Sequence, residues 1–342
     1  MLEAKEYGPT LQDEAKPTTF LQTIIDVYDW LSCWILTLML FGGPVLFIYM
    51  CITPSLRIFA LLYLLWVYYD RETIYTGGRR IKWLRKMRVW KYRRDYFPIK
   101  LVKTADLPPD TTYLFASFPH GMFVIGASTN FCSDVNHFDE AFPGLTPYMH
   151  MQNDILLLPI AREMLLFYGI CSVSAESILH VLNGPAGNVS IVTVGGYIEM
   201  MKSVPGTNRV VLKTRKGFVR MALKAGSSLV PVYTFGESST YDQLSSDWYV
   251  RLQKKLHSLF WLGGLVLAWG PCKIDHALGL LPYQIPLTTV VGSPIKLPRV
   301  EDPSSELVDK YHQIYIQELT SLFDKYKGKY DSRGEKAFLS VE

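Results

Sequence analysis

The sequence is poor in cysteine, short of charge, and carries none of the common nucleotide-binding or hydrolase signatures. Its five cysteines, Cys33, Cys51, Cys132, Cys171 and Cys272, are odd in number and widely spaced, with no CxxC pair. That excludes a disulfide framework and a zinc site of Cys/His spacing, and it fits a reducing, cytosolic environment. Neither GxSxG, GxxxxGK[ST], HExxH nor GxGxxG occurs, so α/β-hydrolase, P-loop, zinc-protease and dinucleotide-binding readings lose their usual support. His137, His150, His180, His257, His276 and His312 show no metal spacing and read as structural or surface residues; no metal is expected. Charged residues are 19% of the chain, below the roughly 25% of an average globular protein. Hydrophobic residues reach 49% and mean hydropathy is +0.12, which points toward a membrane. A formal charge of +4 over 342 residues implies no nucleic-acid partner.

What is present begins with an uncharged run. Residues 31–52, "LSCWILTLMLFGGPVLFIYMCI", hold 22 positions without a formal charge, enough at about 1.5 Å per residue for a hydrocarbon core of roughly 30 Å. The run starts too late and is too long for a signal peptide, and no basic segment precedes it. A second run, "IFALLYLLWVYY" at 58–69, follows a break containing Pro54. Residues 31–69 are expected to form a transmembrane helical hairpin; a single span followed by an interfacial helix is the competing reading. Residues 1–30 would then be a cytosolic tail. Between Arg79 and Arg94 nine of sixteen residues are Lys or Arg, interleaved with Trp83, Trp90 and Tyr92. Segment 70–95 is therefore expected at the cytosolic membrane surface, where the positive-inside bias and anionic headgroups would hold it.

From residue 96 to 342 the pattern is α/β: short apolar runs divided by Gly and Pro, alternating with helical periods. Strands are expected at 112–118, 189–195, 209–214, 229–235 and 288–292, several of them apolar on both faces as buried strands are. Helices are expected at 175–183, 217–226 and 304–327, the last N-capped by Ser304 or Ser305. The run 259–269 is too short to span a bilayer and reads either as a buried helix or as an interfacial dip.

The stretch "YLFASFPHG" ends an apolar strand in Phe118-Pro119-His120-Gly121. Proline fixes the backbone, glycine permits a turn or a close approach, and the imidazole between them is held at the end of a sheet, where α/β proteins bind ligands. A neutral imidazole there can take the proton of an attacking alcohol. On the tetrapeptide alone, a turn or satisfied core histidine is the commoner reading.

The blocks around it decide between these. "YFP" at 96–98, "FPHG" at 118–121, "LPIAREMLLFYGICSVSAESI" at 158–178, "VGGYIEM" at 194–200, "RKGFVRMALKAGSSLVPVYTFGE" at 215–237 and "PLTTVVGSPIKLP" at 286–298 occur in this order. Together they resemble the type-2 diacylglycerol acyltransferase family, which also includes monoacylglycerol and wax-alcohol acyltransferases. The resemblance covers nearly the whole chain after its first residues. It implies a glycerolipid-acyltransferase-like mixed sheet flanked by helices, behind a membrane hairpin. It also implies an acyl-CoA:alcohol O-acyltransferase at the cytosolic face of the endoplasmic reticulum, with access to lipid droplets.

Carried over by motif, His120 becomes the catalytic base. Glu199, from the Gly-Gly-x-x-Glu element, becomes its carboxylate partner, the alternative being a surface carboxylate. Phe118, Pro119 and Gly121 would shape the substrate site, and Arg162 and Glu163 would form an internal ion pair beside it. Arg215, Lys216 and Gly217 would receive the phosphates of acyl-CoA or form a solvated helix start. Glu237 would contribute weakly or cap its own turn. The family signature often has histidine where Phe118 stands, and in the related His-x4-Asp enzymes the aspartate would fall on Ile125. A carboxylate must then come from elsewhere, which draws attention to Glu199. Scattered cysteines favour direct attack of the acceptor on the thioester over a covalent acyl-enzyme.

The expected partners are thus a fatty acyl-CoA as co-substrate with no further cofactor, a hydrophobic alcohol and membrane lipids, with room for a homo-oligomer. Diacylglycerol is the first expected acceptor, monoacylglycerol or a long-chain alcohol the next, and a catalytically silent neutral-lipid-binding protein the alternative of another class.

Overall fold

A computed structural model describes residues 4–9, 42–244, 246–260, 268–270 and 282–342. Its strands are β1 (Lys5–Tyr7), β2 (Lys100–Lys103), β3 (Tyr113–Phe118), β4 (Thr146–Met151), β5 (Ile170–Ser172), β6 (Asn188–Thr193), β7 (Arg209–Val210), β8 (Ser228–Phe235), β9 (Asp242–Gln243), β10 (Ala268–Trp269), β11 (Thr288–Val291) and β12 (Ser340–Val341). Its helices are α1 (Gly42–Ile52), α2 (Arg57–Tyr69), α3 (Arg88–Tyr96), α4 (Ile125–Cys132), α5 (Phe138–Ala141), α6 (Asn153–Leu156), α7 (Ala161–Phe167), α8 (Ala175–Leu182), α9 (Gly196–Met201), α10 (Gly217–Ala225), α11 (Asp247–Phe260) and α12 (Ser305–Tyr330).

Eight strands form one mixed sheet in the order β1-β2-β11-β8-β3-β6-β4-β5. The run β8-β3-β6-β4-β5 is parallel throughout, and β11 joins β8 antiparallel. β3 and β8 lie in the interior and are buried along their whole length. Such strands must be apolar on both faces, and the period of two divides their side chains between two cores. Tyr113 and Phe115 pack with α4 and α7 residues such as Phe131 and Leu166. Leu114, Ala116 and Phe118 pack on the other face with Phe218, Val219, Tyr315 and Leu319 of α10 and α12. Ser304 caps α12 by accepting the N–H of Leu307, as the sequence implied.

The expected strands at 112–118, 189–195, 229–235 and 288–292 and all three expected helices are present within a few residues. The strand expected at 209–214 shortens to β7, because residues 211–213 turn their N–H groups to other partners. β7 pairs with β12, away from the main sheet. Residues 1–30 are not wholly a tail: β1 adds to the sheet through β2, and Glu6 binds Lys329 and Tyr330 of α12.

Among the described residues no single helix is long and apolar enough to cross a membrane. The helix Gly42–Ile52 and the stretch Pro54–Tyr69 meet the length and composition test together, bent by 106° at the break the sequence marked with Pro54. Residues 31–41 of the expected span and 261–267 of the run at 259–269 lie outside the described residues. The pair carries much of the exposed apolar surface, including Val45, Ile48, Ile58, Phe59 and Leu65. It docks through Tyr63, whose hydroxyl accepts the N–H of Ile160 at 2.8 Å.

The basic segment is less superficial than its composition suggests. Arg85 is buried and donates to the carbonyls of Phe131 and Tyr168; Arg93 reaches Ser128 on α4; and Trp90 packs edge-on against Tyr168. Lys82, Trp83, Lys86, Arg88 and Lys91 keep an exposed face.

Candidate active site

Three adjacent parallel strands, β8, β3 and β6, end side by side, and each delivers one titratable residue. His120 follows β3, Glu199 follows β6 on α9, and Glu237 follows β8. The C-terminal edge of a parallel sheet is where α/β proteins collect ligands, because loops and helix N-termini converge there.

The loop after β3 is tightly held. The Phe118–Pro119 peptide is cis. Gly121 takes φ +56°, and a Cβ there would lie 2.7 Å from Glu237 Cγ and 2.9 Å from its carbonyl oxygen, so only glycine fits. Val124, a β-branched residue, adopts φ +51° immediately before α4, a conformation that persists only when neighbours enforce it. The enforcement comes from Glu237, whose Oε1 accepts the N–H of Ile125 at 2.5 Å and whose Oε2 accepts that of Gly126 at 2.8 Å. Glu237 was expected to contribute weakly to the site or to cap its own turn; its buried carboxylate caps the start of α4, whose first N–H groups have no intrahelical partner. Ile125, which stands where a His-x4-Asp motif would place aspartate, thus receives a carboxylate on its main chain from another strand.

Glu199 holds the other side. Its Oε1 accepts the main-chain N–H of His120 at 2.5 Å and its Oε2 that of Val211 at 2.6 Å. The Gly-Gly that precedes it has a steric cause: a Cβ on Gly195 would fall 2.2 Å from the Glu199 carboxyl carbon. The carboxylate therefore orders the backbone of His120 and does not touch the imidazole. Burial pushes the carboxyls of both Glu199 and Glu237 up to about 7, against the opposing pull of the N–H groups they accept.

The imidazole meets main-chain carbonyls, that of Gly121, 3.1 Å from Nδ1, and its own. A carbonyl only accepts, so the neutral ring carries its proton on Nδ1 and keeps the Nε2 lone pair available. Burial holds its pKa below the ordinary histidine value, favouring that neutral form. These are the attributes of a general base.

The other expected residues divide. Phe118 is fully buried, its ring 6.3 Å from that of Tyr315 on α12. It belongs to the core beneath the site, so the expectation that it faces a substrate gives way to a packing role. Pro119 links it to His120. Arg215 lies close enough to favour the ionised form of Glu199, Lys216 pairs with Asp309 of α12 at 2.6 Å, and Gly217 opens α10 with an exposed backbone. Arg162 and Glu163 are elsewhere, on α7 beside the edge strand β5. Arg162 binds Glu163 at 2.7 Å and Asp70 at 2.6 Å, and Arg79 binds both acids. The internal ion pair is present, but it fastens the end of α2 to the body and is not part of the His120 loop. Sequence reasoning missed Asp70 and Arg79; charges following an apolar run were the available signal. It also missed Val211, which acts through its main chain and has no side-chain signature.

A half-buried histidine at the C-terminal edge of a mixed α/β sheet, its loop held by two buried carboxylates, is the candidate site of this fold. The family model described as "Diacylglycerol acyltransferase" matches residues 48–339, and the chain belongs to that family. It is 42% identical to the zebrafish (Danio rerio) diacylglycerol O-acyltransferase 2 over 80% of this chain and 77% of that one. It is 42% identical to the human acyl-CoA wax alcohol acyltransferase 1 over 86% and 90% of the two chains. Against the mouse 2-acylglycerol O-acyltransferase 1 the identity is 43%, covering 78% of this chain and 81% of the relative. Among solved structures, the 1-acyl-sn-glycerophosphate acyltransferase PlsC of Thermotoga maritima aligns with 86% of the chain at 12% identity and a TM-score of 0.39.

Proposed function

We propose that the protein esterifies diacylglycerol with a fatty acyl-CoA, with His120 as general base. The class, an acyl-CoA:alcohol O-acyltransferase, follows from family membership; the acceptor and the base are the proposal. The observation that carries the base is the Nδ1 contact to the Gly121 carbonyl, which leaves Nε2 as the proton acceptor. Nε2 removes the proton of the acceptor hydroxyl as its oxygen bonds to the thioester carbonyl carbon. The tetrahedral adduct then breaks its C–S bond, and the imidazolium returns the proton to the departing thiolate. Ester and free CoA result, with no net change in the enzyme.

Arg215 and the start of α10 support a seat for the CoA phosphates near Glu199, since exposed N–H groups at a helix start attract anions. Phe123, in the His120 loop, is exposed and leans on Tyr241 at 5.4 Å, offering an apolar surface to the hydrocarbon of either substrate. The exposed apolar faces of α1 and α2 support attachment to the endoplasmic-reticulum membrane with the sheet on the cytosolic side, within reach of lipid droplets.

The test is His120→Ala in microsomes supplied with labelled acyl-CoA and, separately, diacylglycerol, 2-acylglycerol and a long-chain alcohol. Loss of a general base removes on the order of 10²–10⁴ in rate. Triacylglycerol should be the main product of the wild type, and ester formation should vanish in the variant at unchanged membrane yield. Retained activity in the variant rules out His120 as the base, and a different main product rules out the acceptor.

A further inference from the structure

The two N–H groups accepted by Glu199 come from different parts of the fold. One belongs to His120; the other belongs to Val211, next to the two-residue strand β7. A strand of that length has little stability of its own, so something else must fix the height at which Val211 meets the carboxylate. Residues 340–342 do so. Ser340 N–H donates to the Asn208 carbonyl at 2.8 Å and Glu342 N–H to the Val210 carbonyl at 2.8 Å. In return the N–H groups of Leu212 and Lys213 donate to the Glu342 carbonyl at 2.8 and 2.7 Å. Every residue from 208 to 213 except Arg209 and Val211 is thereby tied to this segment, and Val211 is the one whose N–H turns to Glu199.

The segment also reaches the helix that carries Glu199. Lys202 follows α9 directly, and its Nζ pairs with the Glu342 carboxylate at 2.5 Å. A closed circuit results: Glu199, α9, Lys202, Glu342, the 211–213 backbone, and back to Glu199. Asn208 anchors its far side, taking a hydrogen bond from the Tyr233 hydroxyl at 3.0 Å and giving one to Asp331 at 2.6 Å.

We propose that residues 340–342, locked by Lys202, are a positioning element for the catalytic histidine, acting on His120 through Val211 and Glu199. None of them touches the imidazole or lies in the His120 loop. Their displacement moves the Glu199 carboxylate and, with it, the main chain of His120. Small errors in the placement of a base cost rate more than binding.

The inference rests on His120 as the base, and the experiment separates the two. Ser340→Pro removes the N–H that binds Asn208, whereas Ser340→Ala keeps it; Lys202→Met removes the ion pair, whereas Lys202→Arg keeps a cation. In full-length protein in microsomes, Ser340→Pro and Lys202→Met should each lower kcat about ten-fold with KM for acyl-CoA and acceptor held within about two-fold, as expected for misplacement of a base. Ser340→Ala and Lys202→Arg should keep most of the wild-type kcat. Unchanged kcat in Ser340→Pro and Lys202→Met, beside an inactive His120→Ala, overturns the positioning role alone. A loss in which KM rises with the fall in kcat also overturns it, since that marks general loosening of the fold. If Ser340→Pro does not accumulate, the Lys202 pair of variants decides the question.

Discussion

Glu199 grips His120 by its main-chain N–H, 2.5 Å from Oε1, and leaves the ring to the carbonyl of Gly121. In a Ser-His-Asp triad one carboxylate both orients the imidazole and fixes its tautomer. Here those tasks are separated. A neutral carbonyl sets the tautomer, and two buried carboxylates, Glu199 and Glu237, set the path of the loop from either side. A carbonyl stabilises an imidazolium less than a carboxylate would, so with His120 as the proposed base a proton taken up would be released readily.

This division fixes the pH behaviour. Each carboxylate accepts two N–H bonds, a task for the ionised form, yet burial lifts both to about 7. Groups facing Glu199 include Arg215, which favours ionisation, and Glu342, Tyr233 and Tyr315, whose charged forms oppose it; Arg93 favours it at Glu237. Catalysis should therefore rise with pH through about 7. Stability runs the other way. A carboxyl raised from 4.5 contributes stability that is fully present below 4.5 and is lost as pH rises through about 7. His120, His150 and His312, each lowered from 6.5 by burial, contribute in the opposite sense, but their stability is gained as pH rises toward 6.5 and is fully present above it. Between about pH 6.5 and 8, where the histidines are neutral in both states, kcat/KM should climb while the thermal midpoint of the detergent-solubilised protein falls. A flat rate profile, or a midpoint that rises over the interval, contradicts the arrangement.

The elements legible in the sequence were those with strong local signals. β3 and β8 announce themselves by unbroken apolar runs, and α12 by its cap and long period. β4, with Pro147 and His150, and β5, of three residues, have no such pattern and exist because neighbouring strands complete their hydrogen bonds. At the site, His120 and Glu199 were found by motif, but the atom through which they meet was not. The turn at Gly121 and Val124, together with the fold of α9, brings a main-chain N–H to the carboxylate. No residue pattern encodes that choice. Glu237 was undervalued for the same reason: its partners are amides more than a hundred positions away in sequence.

Phe118 offers a direct check on what its site position means. The ring is fully buried between β3 and α12, against Tyr315, which itself donates to the Ala116 carbonyl at 2.7 Å. Truncation to Ala should cost about 3–5 kcal/mol of stability, as large aromatic deletions in cores do. Leucine keeps most of the volume and should cost less. Because the ring is buried against residues of α10 and α12, the ratio of activities toward diacylglycerol and a long-chain alcohol should be the same in wild type and Phe118→Leu. Thermal unfolding and a two-acceptor assay measure the two effects separately. A changed acceptor ratio at unchanged stability would return Phe118 to the substrate surface.

The charge cluster at the foot of the apolar helices should behave as a fastening. Arg162 is 1% exposed and is shared between Asp70 at the end of α2 and Glu163 on its own helix, with Arg79 closing the ring of four. Removing one cation leaves two carboxylates facing each other with a single partner, and breaking a buried pair in this way costs about 3–5 kcal/mol. Arg162→Met should therefore lower the thermal midpoint and the steady-state amount of protein sharply. Asp70→Asn/Arg162→Met, which removes one charge of each sign, should recover part of the loss, since the penalty is for the unpaired charge more than for the missing bridge. Neither variant alters the His120 loop, so the KM for acyl-CoA of the surviving protein should match the wild type. A wild-type midpoint in Arg162→Met, or a KM displaced several-fold at an intact midpoint, would relocate the cluster from the helix junction to the substrate site.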